Sequence, residues 1–197
     1  MGEMIKMVVV LTVLSIISGG SLSWLKEITE PKIENQVMTL VKGPAIRQIL
    51  AKADNDPVED RFKVQDGEAQ RNVFVGVFDS NPDTVVLESA ASGYGDIIGM
   101  VVAINMSDET LRGIAVTTHK ETPGLGSMAK DNPRFAAQFA GKSITRPFQV
   151  TTDGGEISAL SGATITSRAV CNGVNQAIET YTRLKPQLEE NIQGMRK

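Results

Sequence analysis

The pattern of apolar and polar residues changes several times along the chain. Residues Met7 to Leu25 contain no charged side chain. As a helix this run would extend about 28 Å, close to the hydrocarbon thickness of a bilayer. Lys6 and Lys26 flank the run, and Trp24 stands at its far end, where an interfacial anchor would lie. The pattern predicts one membrane-spanning helix within residues 1–26.

A cleaved signal peptide is the alternative for the same segment. Small residues between positions 18 and 23 would suit a cleavage site. The apolar run is, however, longer than the usual hydrophobic core of a signal peptide, so a retained anchor is favoured.

Residues 27–71 are predicted to form a helical connector followed by a loop. Helical periodicity runs from Pro31 to Asp54 and is interrupted at Gly43-Pro44, because proline cannot continue a regular helix. The segment from Asp54 to Arg71 is polar and is predicted to be a loop with little regular structure.

Residues 72–197 are predicted to form the main domain. Alternating, β-branched segments indicate four strands: Asn72–Phe78, Thr84–Glu88, Ile97–Ile104 and Leu111–Thr118. Asn81-Pro82-Asp83 and Ser107-Asp108-Glu109 are predicted turns. An amphipathic helix follows, with its apolar face formed by Val170, Val174, Ala177, Ile178 and Tyr181. Successive strands followed by a helical tail predict an α+β fold, an antiparallel sheet with packed helices.

Composition excludes several classes of site. The net charge of −3 and the absence of a Lys/Arg run argue against nucleic-acid binding. Cys171 is the single cysteine and His119 the single histidine. An intrachain disulfide and a metal site built from several Cys or His residues are therefore not expected.

The stretch Ser161-Gly162-Ala163-Thr164-Ile165-Thr166-Ser167 places four hydroxyl groups directly before the amphipathic helix. The N-terminus of a helix presents unpaired N–H groups at the positive end of its dipole, which suits a phosphate group. Alternatively, Thr166 or Ser167 only caps the helix.

Ser161-Gly162-Ala163-Thr164, followed by x-Thr-Ser, resembles the flavinylation motif of a family of FMN-binding domains. The family includes the G subunit of the Rnf-type ferredoxin:NAD oxidoreductase and the C subunit of the sodium-translocating NADH:quinone oxidoreductase. The resemblance implies that Thr164 carries FMN through a phosphoester. It also implies a cofactor site that contains Ser161, Gly162, Ala163, Thr166 and Ser167.

Two further segments resemble the same family in the same order. The loop His119-Lys120-Glu121-Thr122-Pro123-Gly124-Leu125-Gly126 resembles one that borders the flavin. It adds Glu121, Thr122, Gly124 and Leu125 to the expected site. Gly93-Tyr94-Gly95 resembles the family's entry to a strand pair. In one departure, the family usually has aspartate where this chain has Ser158, although Asp153 and Glu156 are near in sequence.

The resemblance implies a redox subunit of a ferredoxin:NAD ion-translocating oxidoreductase, with no catalytic side chain of its own. Implied partners are the other membrane and peripheral subunits and a flavin transferase. The implied location is the prokaryotic inner membrane, with the N-terminus in the cytoplasm and the FMN domain outside. Three alternatives stay open: an FMN domain of another reductase, a non-redox module for a phosphate ligand, and a secreted protein with only a helix cap.

Overall fold

The computed structural model describes residues 2–195, so Met1, Arg196 and Lys197 of the predicted segments lie outside the described residues. The chain divides between Leu40 and Val41 into two compact units. The first unit is dominated by helix α1 (Gly2–Val37), whose large apolar side chains are exposed. Among the described residues, one helix is long and apolar enough to cross a membrane, and it contains the predicted anchor.

The predicted interruption at Gly43-Pro44 lies one turn earlier in the structure. A π-helical turn occupies Met38–Lys42, and helix α2 (Gly43–Ile49) follows it with Pro44 in its first turn. Proline suits a first helical turn because the N–H that it lacks would have no intrahelical acceptor there.

The second unit is built on a five-stranded antiparallel sheet with strand order β1-β2-β3-β4-β5. Its strands are β1 (Arg61–Asp66), β2 (Ala69–Phe78), β3 (Asn81–Ser92), β4 (Ile97–Asn105) and β5 (Thr110–Thr118). Two short helices follow, α3 (Met128–Asp131) and α4 (Pro133–Ala137), and then a 3-10 turn at Thr151–Asp153. The long helix α5 (Thr164–Met195) completes the unit. The predicted α+β fold is confirmed.

The prediction of a loop from Asp54 to Arg71 is wrong for half of that segment, residues 61–66 and 69–71. Its residues 61–66 form β1, which pairs with the beginning of β2 across a two-residue turn at Gly67 and Glu68. Strand β1 lies at the sheet edge and is largely polar. It has two apolar side chains, Phe62 and Val64, and Val64 is buried. The Asp66-Gly67 pair is a hairpin signal that could have identified this turn.

One predicted turn is shifted and the other is confirmed. Asn81-Pro82-Asp83 lies within β3, and the turn is made by Asp79 and Ser80, with φ angles of 50° and 62°. Asp and Ser both tolerate such turn positions, and a two-residue loop with two positive φ angles fits the twist of a hairpin. Residues 107–109 do form the turn between β4 and β5.

Helix α5 packs across one face of the sheet and forms the main core with it. The helix buries Val170, Val174, Ala177, Tyr181, Leu184 and Leu188, which recur at helical spacing. The opposite face is partly covered by α2, through Ile46 and Leu50. This packing fixes the N-terminus of α5 near the end of the sheet where β3 turns into β4.

Candidate functional site

The three segments singled out in the sequence converge on one cleft of about 510 Å³. The cleft lies between the turn joining β3 to β4 (Gly93–Asp96), the loop after β5 (residues 119–126) and the first turn of α5. It is lined by Tyr94, Glu121, Thr122, Leu125, Gly126, Gly162, Ala163, Thr164, Ile165 and Thr166. About seventy residues separate the first of these from the last, so only the fold brings them together.

Thr164 is the first residue of α5, is half-buried and lines the cleft. The first intrahelical bond runs from the Ser167 N–H to the Ala163 carbonyl, at 3.0 Å. The amides of residues 164–166 therefore have no acceptor within the helix, and they lie at the positive end of its dipole. Thr164 therefore lies beside a site suited to an anion.

Thr166 and Ser167 do not cap the helix, because both lie inside its first turn. The Ser167 hydroxyl donates to the Ala163 carbonyl at 3.0 Å and accepts from the Leu160 N–H at 2.9 Å. Ser167 is fully buried and is not among the residues that line the cleft. Through these two hydrogen bonds, Ser167 holds the segment before α5 against the N-terminus of the helix.

A buried carboxylate, Glu121, joins the three segments. Its Oε2 accepts a hydrogen bond from the Thr166 hydroxyl, and its Oε1 accepts one from the Gly95 N–H at 2.8 Å. Burial acts to raise the pKa of Glu121, but these hydrogen bonds and those from the amides of Tyr94 and Asp96 outweigh it and lower the pKa. The group is therefore a carboxylate at neutral pH.

Three of the ten expected site residues do not line the cleft: Ser161 and Gly124 beside it, and Ser167 behind it. Ser161 is exposed. Gly124 is also exposed, has φ of 73°, and donates its N–H to the Ser127 hydroxyl at 3.0 Å. The other seven residues expected from the resemblance line the cleft: Thr164, Gly162, Ala163, Thr166, Glu121, Thr122 and Leu125.

Three lining residues were not predicted as site residues: Tyr94, Gly126 and Ile165. Tyr94 is 70% exposed and Ile165 51% exposed, and Leu125 beside them is 46% exposed. Clusters of exposed large apolar side chains are uncommon on a protein surface and usually mark a binding site. The mouth of the cleft is therefore a candidate contact surface. All three unpredicted residues lie within or next to the quoted motifs, and this adjacency was the available signal.

The carboxylates near Ser158 are already paired with cations. Asp153 accepts two hydrogen bonds from Arg168 of α5, at 2.6 and 2.7 Å, and Glu156 pairs with Lys142 at 2.5 Å. Ser158 is held through its backbone by the Gln138 side chain. Neither acid therefore offers an unpaired charge in place of the aspartate that the family usually has at position 158.

The chain is similar to known proteins over most of its length. Residues 93–179 match the model of the FMN-binding domain family. The G subunit of the ion-translocating oxidoreductase complex of Cereibacter sphaeroides is 34% identical over 154 residues, which cover 73% of this chain and 69% of that protein. The corresponding G subunit of Cronobacter sakazakii is 31% identical over 191 residues, with 91% of each chain covered.

The fold also matches a solved structure. The C subunit of the Na⁺-translocating NADH-quinone reductase of Parabacteroides distasonis has a TM-score of 0.53 and 22% identity, and the match covers 69% of this chain and 88% of that one. The order of the three segments, their convergence on one cleft and these relatives lead to one assignment. The chain belongs to the G-subunit family of the Rnf-type ion-translocating oxidoreductase complexes.

Proposed function

We propose that this chain is a membrane-anchored, electron-carrying subunit of such a complex, with FMN esterified to Thr164. One observation carries the proposal: Thr164 is the first residue of a long helix and lines the cleft to which all three family motifs contribute. When bound, FMN would supply the electron-transfer chemistry, and the protein would set its position and potential.

The residues present fit an FMN group. A phosphate beside Thr164 would meet the unpaired amides of the first turn of α5. The cleft volume of about 510 Å³ falls within the usual range for small-molecule sites. The exposed apolar side chains of Tyr94, Leu125 and Ile165 at its mouth suit a flat, largely apolar ring.

The attachment step follows from the chemistry of the hydroxyl. The Thr164 oxygen would form a bond to the phosphorus on the FMN side of the FAD pyrophosphate, and the bond from that phosphorus to the bridging oxygen would break. AMP would leave with the bridging oxygen, and the hydroxyl proton would pass to solvent. The product would be a phosphodiester between Thr164 and the riboflavin part. A separate Mg²⁺-dependent flavin transferase would catalyse this step, and no side chain of this chain need act as acid or base.

The membrane arrangement forms part of the proposal. Helix α1 supplies one span, with the N-terminus in the cytoplasm and the FMN domain outside, in a prokaryotic inner membrane. A covalent bond is useful on that side because a dissociated flavin would be lost. The partners are the other membrane and peripheral subunits of a ferredoxin:NAD oxidoreductase complex, within which this subunit relays electrons.

The decisive experiment replaces the proposed attachment residue in the full-length protein. Thr164→Val keeps the side-chain shape but removes the hydroxyl. We expect it to abolish flavin fluorescence after denaturing electrophoresis and to remove the mass of one FMN, less water, from the intact protein. Thr182→Val makes the same change on the same helix, at an exposed site where the hydroxyl bonds to the Ile178 carbonyl. This control should keep the adduct, and an unchanged adduct in Thr164→Val would reject the attachment site.

A further inference from the structure

We propose that Glu121 is a positioning residue that clamps the turn Gly93–Asp96 to the first turn of α5 and so fixes the flavin-facing wall of the cleft. The inference rests on the proposed function for its effect on flavin. The clamp itself is a property of the chain alone.

The first observation is that both carboxylate oxygens already have protein partners. Oε1 accepts from the Gly95 N–H at 2.8 Å, and Oε2 accepts from the Thr166 hydroxyl. Glu121 is only 5% exposed. Hydrogen bonds to a buried carboxylate are stronger than those between neutral groups, and a donor left without its acceptor there is costly. The Glu121 side chain therefore bonds to the protein groups that form the walls of the cleft.

The second observation is that glycines on two sides make room for this side chain. A Cβ atom built on Gly93 would lie 2.5 Å from Glu121 Oε1. One built on Gly126 would lie 2.8 Å from Oε2 and 2.9 Å from the Thr166 hydroxyl oxygen. These separations are far below a normal contact, so any larger residue would force the carboxylate or Thr166 to move. Glu121 is thus enclosed by the turn and by its own loop.

The clamp has a defined consequence for the cleft. Tyr94 lies between Gly93 and Gly95 and lines the cleft, although 70% of it is exposed. Fixing Gly95 fixes Tyr94, and fixing Thr166 fixes the helix turn that carries Thr164. One carboxylate therefore sets the separation between the attachment residue and the opposite wall.

The clamp is tested without flavin by hydrogen exchange in the full-length Thr164→Val background. Glu121→Ala should speed exchange of the Gly95 amide about tenfold or more, a factor that corresponds to about 1.4 kcal/mol. Glu121→Gln should restore slow exchange, because its amide can accept from Gly95 and donate to the Thr166 oxygen. Glu88→Ala is the matched control, since Glu88 is a partly buried carboxylate on β3 that pairs with Lys42. Unchanged exchange at Gly95 in Glu121→Ala would overturn the clamp.

The flavin effect is tested in chains with Thr164 intact. Glu121→Ala should alter the visible circular dichroism of the bound flavin while the intact mass still shows the adduct, and Glu121→Gln should restore the parent spectrum. A parent-like spectrum in Glu121→Ala would overturn the positioning role even if the Gly95 amide exchanges faster. A parent chain without any adduct would instead reject the proposed function, and the exchange experiment would still decide the clamp.

Discussion

Gly124 adopts a backbone conformation that favours glycine. Its φ of 73° lies in the left-handed region, and a Cβ atom built there would meet nothing within 4 Å. A β-branched residue at this angle is strained by about 1–2 kcal/mol, whatever the space around it. The protein leaves open space at Gly124, beside the cleft, and we infer that a side chain there would approach a bound flavin ring.

Gly124→Val should disturb the flavin absorbance or its midpoint potential while Thr164 still carries FMN. Gly141→Val is a matched control, because Gly141 has φ of 75°, also faces open space, and lies outside the cleft. Both variants should lose similar stability, since they share the same backbone strain. Redox titration of the two full-length proteins decides the matter. If Gly124→Val titrates like the parent while fully flavinylated, the loop has only a structural role.

At the residue scale, the sequence motifs predicted seven of the ten residues that line the cleft. Thr164, Glu121 and Leu125 stand in recognisable motifs, and all three line the cleft. The motifs do not predict Tyr94 and Ile165 as site residues, because a single apolar side chain carries no chemical signature. The network through Glu121 could not be read either, since 45 residues separate it from Thr166.

The approach of α5 to the sheet depends on one glycine in the helix. A Cβ atom built on Gly173 would lie 2.6 Å from the Met100 sulfur and 3.6 Å from the Ala91 Cβ. The short distance also lets the Ser89 hydroxyl donate to the Gly173 carbonyl at 2.8 Å. Because α5 carries Thr164 at its start, this contact sets the height of the attachment site above the sheet.

Gly173→Val should overpack this contact and destabilise the protein by about 1–3 kcal/mol. Met100→Ala removes the opposing side chain, so it should cost less in the Gly173→Val background than in the parent, with a coupling of about 0.5–3 kcal/mol. Urea unfolding of the four proteins at unchanged slope measures this coupling. Gly194→Val is the control on the same helix, because nothing lies within 4 Å of its Cβ position. Strictly additive effects at positions 173 and 100 would contradict the packing argument.

At the element scale, the central strands and α5 were predictable because their periodicity is strong and long. Of the five predicted apolar-face positions, Val170, Val174, Ala177 and Tyr181 are buried, and Ile178 is partly buried against the core. Strand β1 was missed because an edge strand can be held by pairing alone, through its register with β2, while most of its side chains stay polar. The π-helical turn before α2 has no comparable sequence pattern.

At the scale of the whole molecule, the chain combines an exposed apolar helix with a domain that has its own core. The large apolar side chains of α1 between Met4 and Leu25 are about half or more exposed. Exposing an apolar surface of this length to water is energetically unfavourable. In the FMN-binding unit, the exposed large apolar residues after Val41 are few: Tyr94, Ile97, Leu125, Ile165 and Met195. Three of them, Tyr94, Leu125 and Ile165, lie at the mouth of the cleft. The apolar surface of α1 and the apolar mouth of the cleft are therefore two different surfaces.

The segment Met7–Leu25 should remain in the mature protein and hold it in the membrane. The expected intact mass includes α1, and the protein should be released by detergent and not by high salt, because apolar burial and not charge would retain it.

Ile16→Lys places a charge near the middle of the run, which costs about 2.5–3.5 kcal/mol for a helix that spans the membrane. It should shift the protein toward the soluble fraction. Ile33→Lys makes the same change on the same helix at an exposed site beyond the uncharged run, and it should leave the protein in the membrane fraction. A mature N-terminus between Gly19 and Trp24 would show that the segment is cleaved as a signal peptide, and equal partitioning of the two variants would show that α1 does not span the bilayer.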